Sequence, residues 1–325
     1  MSPMSDMTQA VAQCLLSGAL FGSLCALLVV PPGTYLAVRR MLAMLRPLEG
    51  DPGWQAPLAA VAAALPGGAF FAIAVAGLVL AWRSQCLLYP QGRAMFAVLA
   101  TLAAFAIVRA AVISWRRHAE VRALLRAALP ASPAVARIGR ELGVAVREVA
   151  APGALCAVAG AFRPVVLVSH GTLGLLSDRE LRAALSHEAA HVRRFDPFVG
   201  ALVDFFVELF PLKVVEAVRM YCDAREAAAD RHAVRGSDCI DLASAIVAIA
   251  KGAGAPQSSV ALHGRPERLG ERVERLLGVA NVPDASGAQR APALASLAAV
   301  AAFGFFPVLA MLLDLATCTM GGFRV

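Results

Sequence analysis

The sequence predicts a mainly α-helical integral membrane protein in which four transmembrane helices carry one cytoplasmic α+β domain. Hydrophobic residues make up 59% of the 325 residues, charged residues make up only 16%, and the mean hydropathy is +0.67. Soluble globular proteins carry about 25% charged residues, so this apolar excess belongs in lipid rather than in a protein core. The apolar residues gather in long stretches, whereas residues 116–290 have the composition of a soluble domain.

Four apolar stretches are each long enough to cross a bilayer, which takes about 20 helical residues. They cover about residues 11–30, 58–82, 94–115 and 291–315. The first is expected to end before Pro31 and Pro32. Because no Lys or Arg precedes it, it is expected to be a retained anchor rather than a cleaved signal peptide. The predicted organisation is three spans in residues 1–115, the cytoplasmic domain in residues 116–290, and the fourth span with a short tail in residues 291–325.

The arginines set the expected orientation, since loops rich in Arg and Lys stay in the cytoplasm. They cluster after the first and third stretches and are sparse between the second and third. This predicts a multi-pass protein of a bacterial-type inner (cell) membrane with both termini outside. The net charge of +7 is therefore interpreted as membrane-flanking charge, and no direct nucleic-acid binding is expected. Cys86 and Cys318 would both face outside and could pair, although unpaired thiols are the default expectation.

Short β-prone runs and helices alternate in the cytoplasmic domain. Strands are predicted near residues 144–149, 154–158 and 163–169, and the proline in the last run favours a strand start or a sheet edge. Residues 198–212 are apolar but short for a span, which predicts a helix at the membrane face or, alternatively, a buried core helix. Residues 265–277 predict a charged amphipathic helix on the surface.

One predicted helix in this domain has clear start and stop signals. Ser177 followed by Glu180 fits a capping box, in which each residue accepts a hydrogen bond from the other's backbone N–H. Asp196 and Pro197 are expected to end the helix. The segment between these signals is therefore predicted to be a helix.

This helix contains the pattern H-E-x-x-H, formed by His187, Glu188 and His191. Residues four apart lie on one helix face, so both imidazoles can bind one zinc ion. Glu188 would then take a proton from a zinc-bound water and pass it to a leaving amine. The alternative is an ordinary pair of histidines on a surface helix.

A catalytic zinc ion needs a third protein ligand and one open position. A helix over residues 222–232 would place Glu226 and Asp230 one turn apart. Glu226 is the predicted third ligand, and Asp230 is predicted to orient a ligand histidine through its other ring nitrogen. Asp230 and Glu208 remain alternatives for the third ligand, and a solvated acidic helix face is the alternative for the pair. One Zn²⁺ per chain is expected.

Three segments together resemble the BlaR/MecR-type family of membrane metallopeptidases over about residues 95–280. They are G-A-F-R-P-V-V-L-V from Gly160, E-L-R-A-A-L-S-H-E-A-A-H-V-R-R-F-D-P from Glu180, and R-E-A-A-A-D from Arg225. More distantly, they are similar to HtpX-type membrane proteases. The resemblance implies a zinc endopeptidase with a zincin-like (gluzincin) domain on the cytoplasmic side of four spans. It also implies that the two histidines and the first Glu of E-x-x-x-D bind the zinc.

The resemblance also sets the expected partners. They are a protein or peptide substrate and the lipid bilayer, with a transcriptional repressor or a membrane-proximal protein as the cleaved protein. Sensor members of the family carry a penicillin-binding domain after the last span. This chain ends about ten residues after its fourth predicted span, so direct β-lactam sensing is not expected. The competing hypothesis is a catalytically silent zinc-binding protein that acts in signalling or as a scaffold.

Two parts of the predicted site stay open at this level. Oxyanion stabilisation needs a donor near the zinc, and Tyr221, Arg231, His232 and His170 are candidates among which the sequence does not choose. The strand over residues 163–169 either pairs with an extended substrate at a sheet edge or lies in the core, and both alternatives are equally supported.

Overall fold

The computed structural model describes residues 22–42, 52–83, 90–252, 269–278, 294–306 and 308–309, and the structural statements below concern these residues. They are mostly helical. The helices are α1 (Gly22–Leu42), α2 (Pro52–Arg83), α3 (Pro90–Ala127), α4 (Pro133–Leu142), α5 (His170–Leu175), α6 (Asp178–Arg193), α7 (Asp196–Leu209), α8 (Val215–Val234), α9 (Cys239–Gly252), α10 (Leu269–Gly278) and α11 (Leu294–Phe306). The strands are β1 (Leu129–Pro130), β2 (Val146–Val149), β3 (Cys156–Ala159) and β4 (Val165–Ser169).

Three of the described helices are long and apolar enough to cross a membrane. The qualifying segments are Gly22–Leu42 in α1, Gln55–Val79 in α2 and Arg93–Ala127 in α3. The apolar helix α11 has 13 residues, which is shorter than the predicted fourth span, and residues 310–325 lie outside the described part. The chain is therefore a membrane protein with three candidate spans among its described residues, and the fourth span stays a prediction.

The expectation that the first apolar helix ends before Pro31 is wrong. Helix α1 continues through both prolines to Leu42, while residues 11–21 lie outside the described part. Its second half is held by packing, since Val38 and Met41 are buried in one cluster with Leu58 of α2 and Val214 beside α8. Proline lacks an N–H and so weakens a helix locally, but tertiary contacts outweigh this local preference here.

The four strands form one sheet in the order β1-β2-β4-β3. Strands β2 and β4 are parallel, with Val146 opposite Val166, whereas β3 runs antiparallel to β4, with Ala157 opposite Leu167. Strand β4 is therefore paired on both sides and buried, which selects the core alternative for the 163–169 run. Within the described residues, β3 pairs on one side only, so it forms the edge of the sheet.

A tight turn joins β3 to β4 at Gly160. Gly160 has a φ of +93°, and a Cβ atom there would lie 2.8 Å from the carbonyl oxygen of Arg163. Only glycine fits this left-handed conformation and close approach without strain. This turn explains why β4 lies inside the sheet, because it brings β3 alongside the edge of β4 that does not pair with β2.

Helix α6 packs on this sheet and is the element that carries the H-E-x-x-H pattern. The predicted capping box is confirmed, because Ser177 Oγ accepts from the Glu180 N–H while the Glu180 carboxylate accepts from the Ser177 N–H at 2.8 Å. Leu185 and Ala189 lie on the sheet side of the helix, in one buried cluster with Val166. The opposite side of α6 is thereby free to carry its polar residues toward α8.

Helices α7 and α8 pack against the candidate spans. Val203 and Val207 of α7 are buried with Leu65 of α2. Gly67 of α2 makes the closest contact, since a Cβ atom there would lie 1.8 Å from the carbonyl oxygen of Phe206. The helix predicted over residues 198–212 is thus one that packs against the candidate spans.

Candidate metal centre

Three side chains from two helices converge on one point. Nε2 of His187 and Nε2 of His191 lie 3.1 Å apart, because the two residues are one turn apart on α6. The Glu226 carboxylate, from α8, lies 3.4 Å from His187 Nε2 and 3.6 Å from His191 Nε2. Ligand atoms of the three residues all lie within 4.8 Å of one another, so this group could hold a metal ion.

Each histidine has its other ring nitrogen on a carboxylate. Nδ1 of His187 lies 2.9 Å from Oδ1 of Asp230, and Nδ1 of His191 lies 2.7 Å from Oδ2 of Asp196. A carboxylate that accepts from Nδ1–H fixes the tautomer and leaves the Nε2 lone pair available as a metal ligand. The pairing therefore points both Nε2 atoms toward Glu226.

Asp196 is a site residue that sequence reasoning missed, because its position before Pro197 was interpreted only as a helix stop. Helix α6 ends at Arg193 and α7 begins at Asp196, so the chain turns within two residues. Phe195 at this corner has a φ of +56°, a conformation unusual for a side chain of its size. The turn brings the Asp196 carboxylate back onto His191, and a carboxylate five residues after the second histidine was the available signal.

Burial and charge have opposite effects on the pKa values of His187 and Glu226. Burial disfavours the imidazolium of His187, but hydrogen bonds to Asp230 and Glu226 outweigh it and raise its pKa to about 9. For Glu226, burial favours the neutral acid, but the His187 hydrogen bond and the charges of His191 and Arg272 hold its pKa well below the usual range. The carboxylate is therefore an anion, as a metal ligand must be.

Glu188 lies next to the edge strand. It is buried, with 3% of its surface exposed, on the same helix as the two histidines. Burial raises the pKa of the Cys156 thiol on β3, and the negative charge of Glu188 raises it further. Helix α6 packs on β3, so Glu188 lies on the element next to that strand.

The buried charges around the cluster fit a divalent cation. The buried anions are Glu188, Asp196, Glu226 and Asp230. The buried arginines are Arg225, whose Nη2 lies 3.3 Å from Glu226 Oε1, and Arg272, whose Nη1 lies 3.2 Å from Glu226 Oε2. Arg194 also pairs with Asp196, with its Nε 3.5 Å from Oδ1, so four carboxylates face three guanidinium groups and their net negative charge favours a bound cation. Two imidazoles and one carboxylate also form a donor set typical of catalytic zinc.

The comparison with known families agrees with this geometry. The model of the BlaR1 peptidase M56 family matches residues 86–276, which is more than half of the chain. The chain belongs to this family. A search of curated proteins finds no match. The M56 assignment confirms the resemblance drawn from the sequence motifs and makes the chain a membrane metallopeptidase with a protein substrate.

Other candidates for the M56 site lie in different surroundings. Glu208, an alternative third ligand, is 1% exposed and binds cations: its Oε1 lies 2.6 Å from Lys213 and 2.9 Å from Arg117. It therefore belongs to an ion cluster on α3 and α7, and not to the His187, His191 and Glu226 group. The alternative that Glu208 is the third ligand is therefore corrected, because its carboxylate pairs with Arg109 and Arg117 of α3 instead.

The oxyanion candidates are spread over the domain. Tyr221 is buried where α8 packs on α2, with the Arg225 guanidinium 5.8 Å from its ring centre. His232 lies 2.7 Å from Arg193 at the exposed end of α6, and His170 lies 3.4 Å from Glu148 at the end of β4. Arg231 is half-buried on α8. All four roles stay predictions.

The amphipathic helix predicted over residues 265–277 is described from residue 269 onward, as α10, and it is not confined to the surface. Arg275 is exposed, but Arg272 is 8% exposed and reaches the metal centre. Its guanidinium binds Asp230 through two donors, with Nε 2.8 Å from Oδ2 and Nη2 2.6 Å from Oδ1. Spacing within the helix gave no sign of this contact, because Asp230 lies 42 positions earlier in the chain.

Proposed function

We propose that this M56 peptidase is a zinc-dependent endopeptidase of the gluzincin type. The observation that carries the proposal is the convergence of His187 Nε2, His191 Nε2 and the Glu226 carboxylate. Glu188 directly follows His187 on the same helix. Orientation of both imidazoles by carboxylates and the donor set of two histidines and one glutamate support zinc as the ion. A purely structural zinc site would not need Glu188.

The chemistry follows from the residues around the ligand cluster. When bound, zinc supplies Lewis acidity that makes water acidic near neutral pH and polarises the scissile carbonyl. Glu188 accepts a proton from the attacking water and then delivers it to the leaving amine. Asp196 and Asp230 hold the two imidazoles in place through their Nδ1 atoms during this proton movement.

Strand β3 is the proposed docking site for the substrate backbone. It has a free edge among the described strands, and it packs on α6, the helix that carries Glu188. An extended peptide can add to such an edge through main-chain hydrogen bonds. Recognition of this kind requires a locally unfolded segment of about four residues, which favours exposed linkers in the substrate protein.

The proposed setting is the bacterial inner membrane. The four apolar stretches support three spans in residues 1–115 and a fourth after residue 290, and the arginine distribution supports a cytoplasmic peptidase domain in residues 116–290. Packing of α7 and α8 on α2 and α3 supports a site close to the bilayer. The proposed substrates are therefore a membrane-proximal protein or a transcriptional repressor that is released by cleavage.

The test separates metal binding from catalysis. The full chain in detergent or nanodiscs is compared with Glu188→Gln and with the exposed-site control Glu274→Gln for zinc content and for cleavage of a peptide library read by mass spectrometry. We expect one zinc ion in each of the three proteins and cleavage by the wild type and Glu274→Gln alone. Loss of cleavage should be at least 100-fold, in the range for removal of a general base.

Two results would contradict the proposal. Zinc in all three proteins with no cleavage by any of them would favour the silent zinc-binding alternative. Undiminished cleavage by Glu188→Gln would show that another residue carries the proton transfer. In cells, a protein fragment that forms with the wild type and not with Glu188→Gln would identify the substrate.

A further inference from the structure

A buried arginine connects α10 to three residues of the proposed zinc site. Its two donors on Asp230 form a planar fork, and its Nη1 lies 3.2 Å from Glu226 Oε2. Its Nη2 lies 3.3 Å from His187 Nε2 and 3.4 Å from His187 Nδ1. The guanidinium is therefore in contact with the His187 ring at nearly equal distances from its two nitrogens.

The helix that carries this arginine is itself docked through apolar contacts. Leu276 follows Arg272 by one turn and therefore lies on the same face of α10. It is buried in a cluster with Ala183 of α6, Ala233 of α8 and Leu242 of α9. One face of α10 thus combines an apolar contact with the domain and a polar contact with the centre.

We propose that Arg272 is a positioning residue for the metal centre, through which the docking of α10 sets the affinity for zinc. This rests on the proposed zinc site. Its forked contact fixes Asp230, which in turn holds His187, and its Nη1 forms an ion pair with Oε2 of Glu226, the oxygen next to His187 Nε2. An arginine fork suits this task because its donors are planar and pre-organised, whereas lysine offers a single point charge.

Two effects of the guanidinium oppose each other, so the sign of the mutational effect is informative. As a cation it repels zinc, and its removal would by this effect alone tighten metal binding. As a clamp it holds Asp230, Glu226 and the His187 ring in the ligand arrangement, and loss of such outer contacts typically weakens metal binding about 10–100-fold. Three simultaneous contacts from one buried side chain favour the clamp.

The test measures zinc affinity in the full chain by competition with a chelator. Arg272→Gln is compared with Arg275→Gln, which removes the same charge from an exposed site on the same helix. We expect Arg272→Gln to bind zinc at least 10-fold more weakly and Arg275→Gln to match the wild type. Arg272→Lys should also bind weakly, since it restores the charge without the fork. Unchanged or tighter binding by Arg272→Gln, or full recovery by Arg272→Lys, would overturn the proposal.

A double-mutant cycle tests whether Arg272 acts through Asp230. If it does, Arg272→Gln adds little to the loss of affinity already caused by Asp230→Asn, whereas independent effects would multiply. Amide hydrogen exchange gives a second readout. If the docking of α10 sets zinc affinity, zinc binding must in turn stabilise that docking, so zinc should slow exchange in α10 of the wild type and not of Arg272→Gln. Equal slowing in both, or multiplicative losses, would refute the link. If the wild type bound no zinc, the proposed function itself would fail.

Discussion

His191 and Asp196 are hydrogen-bonded across the junction of two helices, with Nδ1 2.7 Å from Oδ2. His191 belongs to α6 and Asp196 is the first residue of α7. The start of the helix that packs on the candidate spans therefore orients a side chain of the metal centre.

Asp196→Asn is expected to weaken zinc binding about 10–100-fold, because the amide cannot hold the His191 tautomer as a carboxylate does. Asp178→Asn is the matched control, since it makes the same change at the exposed first residue of α6. Chelator competition on both variants checks the prediction. Equal affinities would mean that Asp196 serves only to start α7.

Gly67→Ala is expected to destabilise the contact between α2 and α7, because the new methyl group would overlap the Phe206 carbonyl. Overpacking of this kind typically costs about 1–3 kcal/mol. Gly68→Ala is the control, since its Cβ atom would come only within 3.7 Å of Phe305, an ordinary contact. Thermal unfolding in detergent should show a lower midpoint for Gly67→Ala alone, and equal midpoints would contradict the close approach.

Glu208→Gln is expected to cost about 2 kcal/mol of stability, because it leaves the cations around a buried carboxylate uncompensated. This figure is below that for a fully buried pair, since Arg117 and Lys213 are each about 40% exposed. Glu216→Gln is the control, as its pair with Arg39 is exposed and 4.0 Å long, and it should cost under about 0.5 kcal/mol. Chemical denaturation measures both.

Glu180→Ala is expected to reduce stability by about 1 kcal/mol at neutral pH, because it removes half of the capping box of α6. A hydrogen bond from Ser244, followed by those from Ser177, lowers the pKa of Glu180 below its usual value of 4.5. The contribution of this carboxylate is thus complete above about pH 4.5 and is lost as the pH falls through the lower, folded-state value. Denaturation curves for wild type and variant should converge in acid, and a difference independent of pH would exclude the charged cap.

The parts of the centre that depend on one helix could be predicted from the sequence. His187 and His191 are one turn apart, as are Glu226 and Asp230, and helical spacing alone places each pair on one face. The predicted capping box is present for the same reason, since its partners are three residues apart. Resemblance to the family then indicated that the two helices meet.

The parts that depend on the path of the chain between helices could not be predicted. Asp196 reaches His191 only because of the sharp turn at Phe195, and Arg272 reaches Asp230 only because α10 packs against α6, α8 and α9. Pro31 and Pro32 misled for a related reason, since local preference for a helix end lost to the packing of Val38 and Met41. The sequence also left the order of the strands open. The strongest β-prone run, β4, lies inside the sheet, and its neighbour β3 lies at the edge.

Helix α7 sets the distance between the metal centre and the ion cluster around Glu208. Its first residue touches a histidine of the metal centre and its Glu208, twelve positions later, is held by arginines of α3. At 1.5 Å per residue, these two points are about 18 Å apart along a rigid rod. The length of one helix therefore sets how far the metal centre lies from that ion cluster, and a substrate segment held at a different distance from the cluster would not reach the centre.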